Sequence, residues 1–251
     1  EEIAEEVLPE LRRSKFMVNV DMIGYSDDEL KELWGSNADT LNLEELLYTA
    51  TLFEDLDTKL AIYKKANEAH PKCFRAINNV GYVYILKGDA ENAAAALAKA
   101  KEIQDNDIVN NNLGAVALMN GEVEKAEELF TASMGAGDAV NYNLGIIKVM
   151  QGDYDKAASY FGNADTYNGA LVKYLKDDSE GAMATLNKVK CECAVKYYLK
   201  AVIAADLDQD ELVFESLRTA ISKKAELKDR AKVDMEFAKY FENDAFKSVV
   251  E

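Results

Sequence analysis

Few residues of this 251-residue chain are of a type that does chemistry. His70 is the one histidine, and it stands beside Pro71 at an expected helix end, where a cation suits the last turn; it has no evident Ser or Cys partner. Cys73 is alone. Cys191 and Cys193 are two apart, which on a helix points them to different sides, so all three cysteines read as packed thiols rather than a bridge or ligands. Asp206, Asp208 and Asp210 have the spacing that opens a calcium loop, but Glu211 stands where the loop needs Gly and Leu217 where it needs Glu. They read as an acidic connection between helices. Gly135-Ala136-Gly137 lacks the Lys-Ser/Thr of a phosphate loop and reads as a turn. No acid, base and nucleophile can be assembled, so the chain reads as a non-enzyme with no cofactor and no metal.

Charge narrows the partners. With 29 Lys+Arg against 46 Asp+Glu the net charge is −17, which argues against nucleic acid, because phosphate binding needs clustered cations. The sequence has no run of about 18 apolar residues, so it offers no helical transmembrane segment. An apolar fraction of 49% is enough for a core, and 2 prolines in the whole chain suit long helices better than a turn-rich β fold. The chain starts at Glu1 without Met or a signal sequence, the mark of a processed form or an excised fragment.

The elements that must position any site show themselves as a repeat. Asn79-Val80-Gly81, Asn112-Leu113-Gly114 and Asn143-Leu144-Gly145 recur at near-constant spacing. Seven residues after each first Gly comes a second, Gly88, Gly121 or Gly152. An Ala follows (Ala93, Ala126, Ala157), and then a large apolar residue (Leu97, Phe130, Phe161). A mid-helix Gly costs about 1 kcal/mol relative to Ala, so it marks a close helix approach, with the Ala on the second helix as its expected counterpart. The second Gly suits the left-handed position that ends a helix, and the acids after it suit the first turn of the next. Each unit is therefore two antiparallel helices.

These columns resemble the tetratricopeptide repeat (TPR). The resemblance implies an all-α fold, a right-handed superhelix of helix hairpins, spanning residues 40–245 as about five to six hairpins. Residues 40–73 fit the frame with Leu43, Leu46, Leu47, Tyr63, Ala66 and Pro71; Asn168-Gly169-Ala170 with Ala182 and Leu186 reads as a shortened repeat. Tyr197, Ala201, Leu217 and Ala220 give a degenerate one, and Val233, Phe237, Tyr240 and Phe241 read as a capping helix.

The best candidate for a functional surface is the row Asn79, Asn112, Asn143 and Asn168, with Asn78, Asn111, Tyr82, Tyr142, Ala115 and Ile146 beside it. Asparagine is a mediocre helix former, so its recurrence at one register is unexpected from propensity. The family resemblance places this register on the concave groove, where amides clamp a peptide backbone. The plainer alternative is that these amides bond neighbouring helices.

Residues 1–36 stand outside the array. The first twelve suit a helix interrupted by Pro9; Phe16, Val18, Val20 and Met22 alternate as a strand does; Ser26-Asp27-Asp28-Glu29 opens a short helix to Trp34. Leu11-Arg12-Arg13, the strand, this helix start and Leu43-Glu44-Glu45-Leu46-Leu47-Tyr48 are similar to a junction in cell-envelope proteins of Bacteroides-type bacteria, where an OmpA-like domain precedes a TPR array. That resemblance implies an upstream envelope domain and a periplasmic, outer-membrane-associated location; a cytoplasmic one is the alternative. The expected function is a scaffold for a protein or peptide partner, against a purely structural spacer with an empty groove.

Overall fold

Helix caps written into the sequence start most of the elements. The structure, a computed structural model, describes residues 24–251, so the expected helix of residues 1–12 and the strand Phe16 to Met22 lie outside the described residues. The chain forms two compact units, Glu1–Ala69 and His70–Glu251. In the first, α1 (Asp27–Ser36) and α2 (Leu43–Thr49) each begin with a reciprocal capping box, Ser26 with Glu29 and Asn42 with Glu45. The Tyr48 hydroxyl donates to Asp27 at 3.0 Å and ties α2 to α1. Helix α3 (Leu56–Ala69) returns along α2, burying Ile62, Tyr63 and Ala66.

The second unit repeats one hairpin. Its pairs are α4 (Phe74–Leu86) with α5 (Ala90–Ile103), α6 (Asp107–Met119) with α7 (Val123–Ala132), and α8 (Asp138–Met150) with α9 (Tyr154–Phe161). Then come α10 (Tyr167–Leu175) with α11 (Ser179–Lys188) and α12 (Ala194–Asp206) with α13 (Asp210–Lys223). All described elements are helical.

The repeat columns have physical causes, one of them not the expected one. A Cβ added to Gly114 would lie 2.6 Å from the Phe130 ring, one on Gly145 would lie 2.5 Å from Phe161, and one on Gly81 would lie 2.6 Å from Leu97. The closest approach is thus made by the large residue sixteen positions on; at Gly81 the Ala93 carbonyl oxygen also comes to 3.4 Å, and Ala93, Ala126 and Ala157 are all fully buried. Gly88, Gly121 and Gly152 all have φ near +75°, as a helix ending in the left-handed region requires. In the two later hairpins Asp177 (φ 61°) and Asp208 (φ 54°) occupy the same position without being glycine.

The short repeat has a local origin. First helices α4, α6, α8 and α12 have 13 residues each, whereas α10 has 9, one turn fewer. Helix α9 also stops early, at Gly162 with φ 56°.

The expected capping helix is three pieces: α14 (Leu227–Ala231), a 3-10 segment (Met235–Tyr240) and α15 (Asp244–Val250). Three residues per turn put Phe237 and Tyr240 on one face, where both are buried with Phe246, while Val233 lies before the segment and is 74% exposed.

Candidate functional site

Two adjacent columns of the first helices carry the candidate site. The position two before the small mid-helix residue holds Asn79, Asn112, Asn143, Asn168 and finally Leu199; the position three before holds Asn78, Asn111, Tyr142, Tyr167 and Tyr198. The two columns are joined across repeats. Asn112 donates its amide N–H to the Asn78 oxygen at 3.0 Å, Asn143 donates to Asn111 at 3.0 Å, and Asn168 donates to the Tyr142 hydroxyl at 2.9 Å. Three successive repeats therefore each hand one hydrogen bond back to their predecessor, and the fifth, with Leu199 in the column, does not.

Exposure divides the predicted residues. Asn78 is buried at 4%, Tyr82 is 46% exposed one turn further along α4, and the rest of the row is half-buried. Tyr142 lies against Phe161 with ring centroids 5.3 Å apart. Burial pushes its phenol above the usual tyrosine range, and the N–H from Asn168 works against that. Ala115 and Ile146, one position after Gly114 and Gly145, are half-buried.

Beyond Asn168 the stripe becomes aromatic and encloses a cavity of about 240 Å³. Tyr167, Tyr174 and Tyr198 wall it, with Arg230, Asp234 and Glu236 at its polar side. The Tyr198 hydroxyl donates to Asp234 and the Tyr174 hydroxyl to Glu236, both at 2.7 Å. Burial first, and these bonds to carboxylates second, hold both phenols far above the usual tyrosine range. Arg230 lies 4.8 Å from the centre of the Tyr198 ring and reaches Asp234 at 3.7 Å. None of these tyrosines is in the predicted row. Their signal was the same spacing, Tyr167 and Tyr198 standing three before Ala170 and Ala201, hidden by the change from amide to phenol.

The remaining chemical residues separate. Asp206 accepts from the Ser179 hydroxyl, Asp208 pairs with Lys239, and Asp210 accepts from the Tyr240 hydroxyl at 2.6 Å. Among the described residues no group of three His, Cys, Asp or Glu is placed to hold a metal ion. Cys191 and Cys193 form a disulfide, against the expectation of two thiols. The helix assumed for them is absent: they lie in the connection between α11 and α12, where the backbone lets both sulfurs turn to one side. Cys73 is free and partly buried. No helix among the described residues is long and apolar enough to cross a membrane.

Structures already solved share this arrangement of hairpins. A chain of the APC/C hetero-tetramer Cut9–Hcn1 matches with a TM-score of 0.69 at 13% identity, over 90% of this chain and 46% of that one. A tetratricopeptide repeat protein from Parabacteroides merdae matches at 0.59 and 18% identity, over 90% and 91%. The fold is the tetratricopeptide-repeat fold. The type IV pilus biogenesis factor PilW has it too, with a TM-score of 0.55 at 16% identity over 90% of this chain and 98% of that one. The TPR chain described here spans less than half of the Cut9–Hcn1 chain it matches. No protein-family model and no curated protein matches it by sequence.

Proposed function

We propose that the chain is a non-catalytic protein–protein interaction scaffold that binds a peptide, or an extended segment of another protein, on the face formed by its first helices. The observation that carries the reading is the two-column stripe, Asn78 and Asn79 through Tyr198 and Leu199, which runs without a break over five successive hairpins. By resemblance to other TPR arrays this register is the concave one. Asn112, Asn143 and Asn168 each use one N–H on the neighbouring repeat, while their amide oxygens have no protein donor among the described residues and are not sealed from solvent. A row of such oxygens with the exposed Tyr82 ring beside it offers convergent acceptors and an apolar contact for a backbone.

One observation favours the competing reading, a structural spacer with an empty groove. The ladder amides bond each other, which by itself explains their recurrence. A photo-crosslinking residue at position 82, with a control at the exposed Glu128 position on α7, separates the two in the native host. A discrete adduct from position 82 alone supports the scaffold; no adduct, or the same adducts from both positions, supports the spacer.

The location we propose is the bacterial periplasm, attached to the outer membrane through an upstream OmpA-like domain. The junction resemblance supports this, and the Cys191–Cys193 disulfide fits an oxidising compartment. Alkylation of these cysteines before reduction, read by mass spectrometry of protein from its host, tests it. Free thiols in freshly lysed cells would favour the cytoplasm.

A further inference from the structure

We infer that the tyrosine-walled cavity at the α10–α12 end of the first-helix face is a receptor for one lysine side chain of a bound segment. The inference rests on the scaffold reading for its partner and adds the chemistry that selects it. Size comes first: about 240 Å³ is below the range of pockets that hold a whole cofactor or drug-sized ligand, and suits a single side chain. The lining is two-natured. Leu171, Val195 and Val202 offer an apolar wall for an alkyl stem, and Val195 is 44% exposed at the mouth. The far side carries Asp234 and Glu236 against the one cation Arg230.

The structure already shows how a cation is held there. Arg230 sits over the Tyr198 ring and reaches Asp234, whose carboxylate also accepts from Tyr198. Tyr174 and Glu236 repeat the phenol–carboxylate pair, and Glu236 has no cationic partner among the described residues. A lysine ammonium entering beside Arg230 meets the Glu236 carboxylate between the Tyr167 and Tyr174 rings that line the cavity. Arginine and lysine differ here: the broad guanidinium of Arg230 occupies one pair already, so the compact ammonium is the better fit to the second. The chain's overall charge of −17 favours a basic segment over an acidic one as the molecule's partner, and the two carboxylates against one guanidinium give the cavity the same sign.

The test uses a probe too small to lie along the asparagine row, so its result stands apart from the fate of the peptide-groove reading. Nα-acetyl-lysine N-methylamide is titrated into the full chain labelled with carbon-13 on the tyrosine rings, with signals assigned through Tyr174→Phe and Tyr198→Phe. Saturable shifts confined to Tyr167, Tyr174 and Tyr198, absent with the norleucine analogue, are the expected result. Glu236→Gln, which keeps an acceptor for Tyr174, should weaken binding by about fivefold, the scale of one exposed ion pair, while Glu128→Gln leaves it unchanged. Equal response to the norleucine analogue, no saturable shift at these rings, or full binding by Glu236→Gln would overturn the inference. Failure of the groove reading would show differently, as longer peptides that leave the Tyr82 and Tyr142 signals unmoved.

Discussion

At Gly114 a single hydrogen atom holds a helix crossing open. The Phe130 ring occupies the space a methyl group would need, so Gly114→Ala overpacks a fully buried contact. Overpacking typically costs about 1–3 kcal/mol and alanine returns about 1 kcal/mol of helix propensity, so the net change should be a loss of up to about 2 kcal/mol in urea unfolding. In a Phe130→Ala background the same change should be neutral or stabilising; an equal loss in both backgrounds would show that the ring is not the cause. Asp177 poses the opposite case, an ordinary residue in the left-handed region. Asp177→Gly should raise stability by about 0.5–1 kcal/mol, and Asp208→Gly by less, because Asp208 also pairs with Lys239. At this scale spacing was legible and contact was not. The triplets at Gly81, Gly114 and Gly145 marked the crossings, but nothing in the order of residues says that the large side chain sixteen places on (Leu97, Phe130 or Phe161) fills the notch ahead of the alanine twelve places on. The cysteines misled because the residues between Val189 and Ala194 break the helix that their spacing was judged against.

Between elements, the amide ladder sets how one hairpin registers on the next. Asn112→Ala leaves the buried Asn78 oxygen without its donor, an expected loss of about 1–2 kcal/mol. Asn79→Ala, which breaks no bond between repeats, should change stability by less; equal losses would contradict the ladder's structural part. The asparagine column was readable through Asn168 because Asn persists there, and ended where it turned to Tyr and Leu; the fifth hairpin was still legible from Ala201, Leu217 and Ala220, all fully buried. The C-terminal pieces pack through aromatic rings and phenol–carboxylate bonds, which gives them a pH signature. Burial first and a bond to Asp210 second push the Tyr240 phenol up to about 12, and Tyr174 and Tyr198 rise for the same two reasons. The unfolded chain releases these protons near pH about 10, so the folded state then holds more protons than the unfolded one. Stability from these groups is complete below that pH and is lost as pH climbs through the folded values. Thermal midpoints should fall steadily above pH about 10, and less steeply in Tyr240→Phe; a flat profile to pH about 12 would contradict the assignment.

For the whole molecule, the charge that argues against nucleic acid also bears on the proposed partner. The candidate face runs from neutral amides at Asn78 and Asn79 to a tyrosine pocket edged by Asp234 and Glu236, so the face offers acceptors along its length and a preference for a cation at one end. The fold was legible in the order of residues because glycine, alanine and a large apolar residue recur at fixed offsets. What the face binds was not, because the repeat-to-repeat bonds seen here call for the same amides at the same register as a peptide clamp would. That ambiguity is resolved most directly by affinity. The tightest-binding member of a short-peptide array should bind the wild-type chain, lose about tenfold with Tyr82→Ala on the first-helix face, and be unaffected by Glu128→Ala on α7. No binding above background, or equal affinity for the wild type and Tyr82→Ala, would contradict the scaffold account.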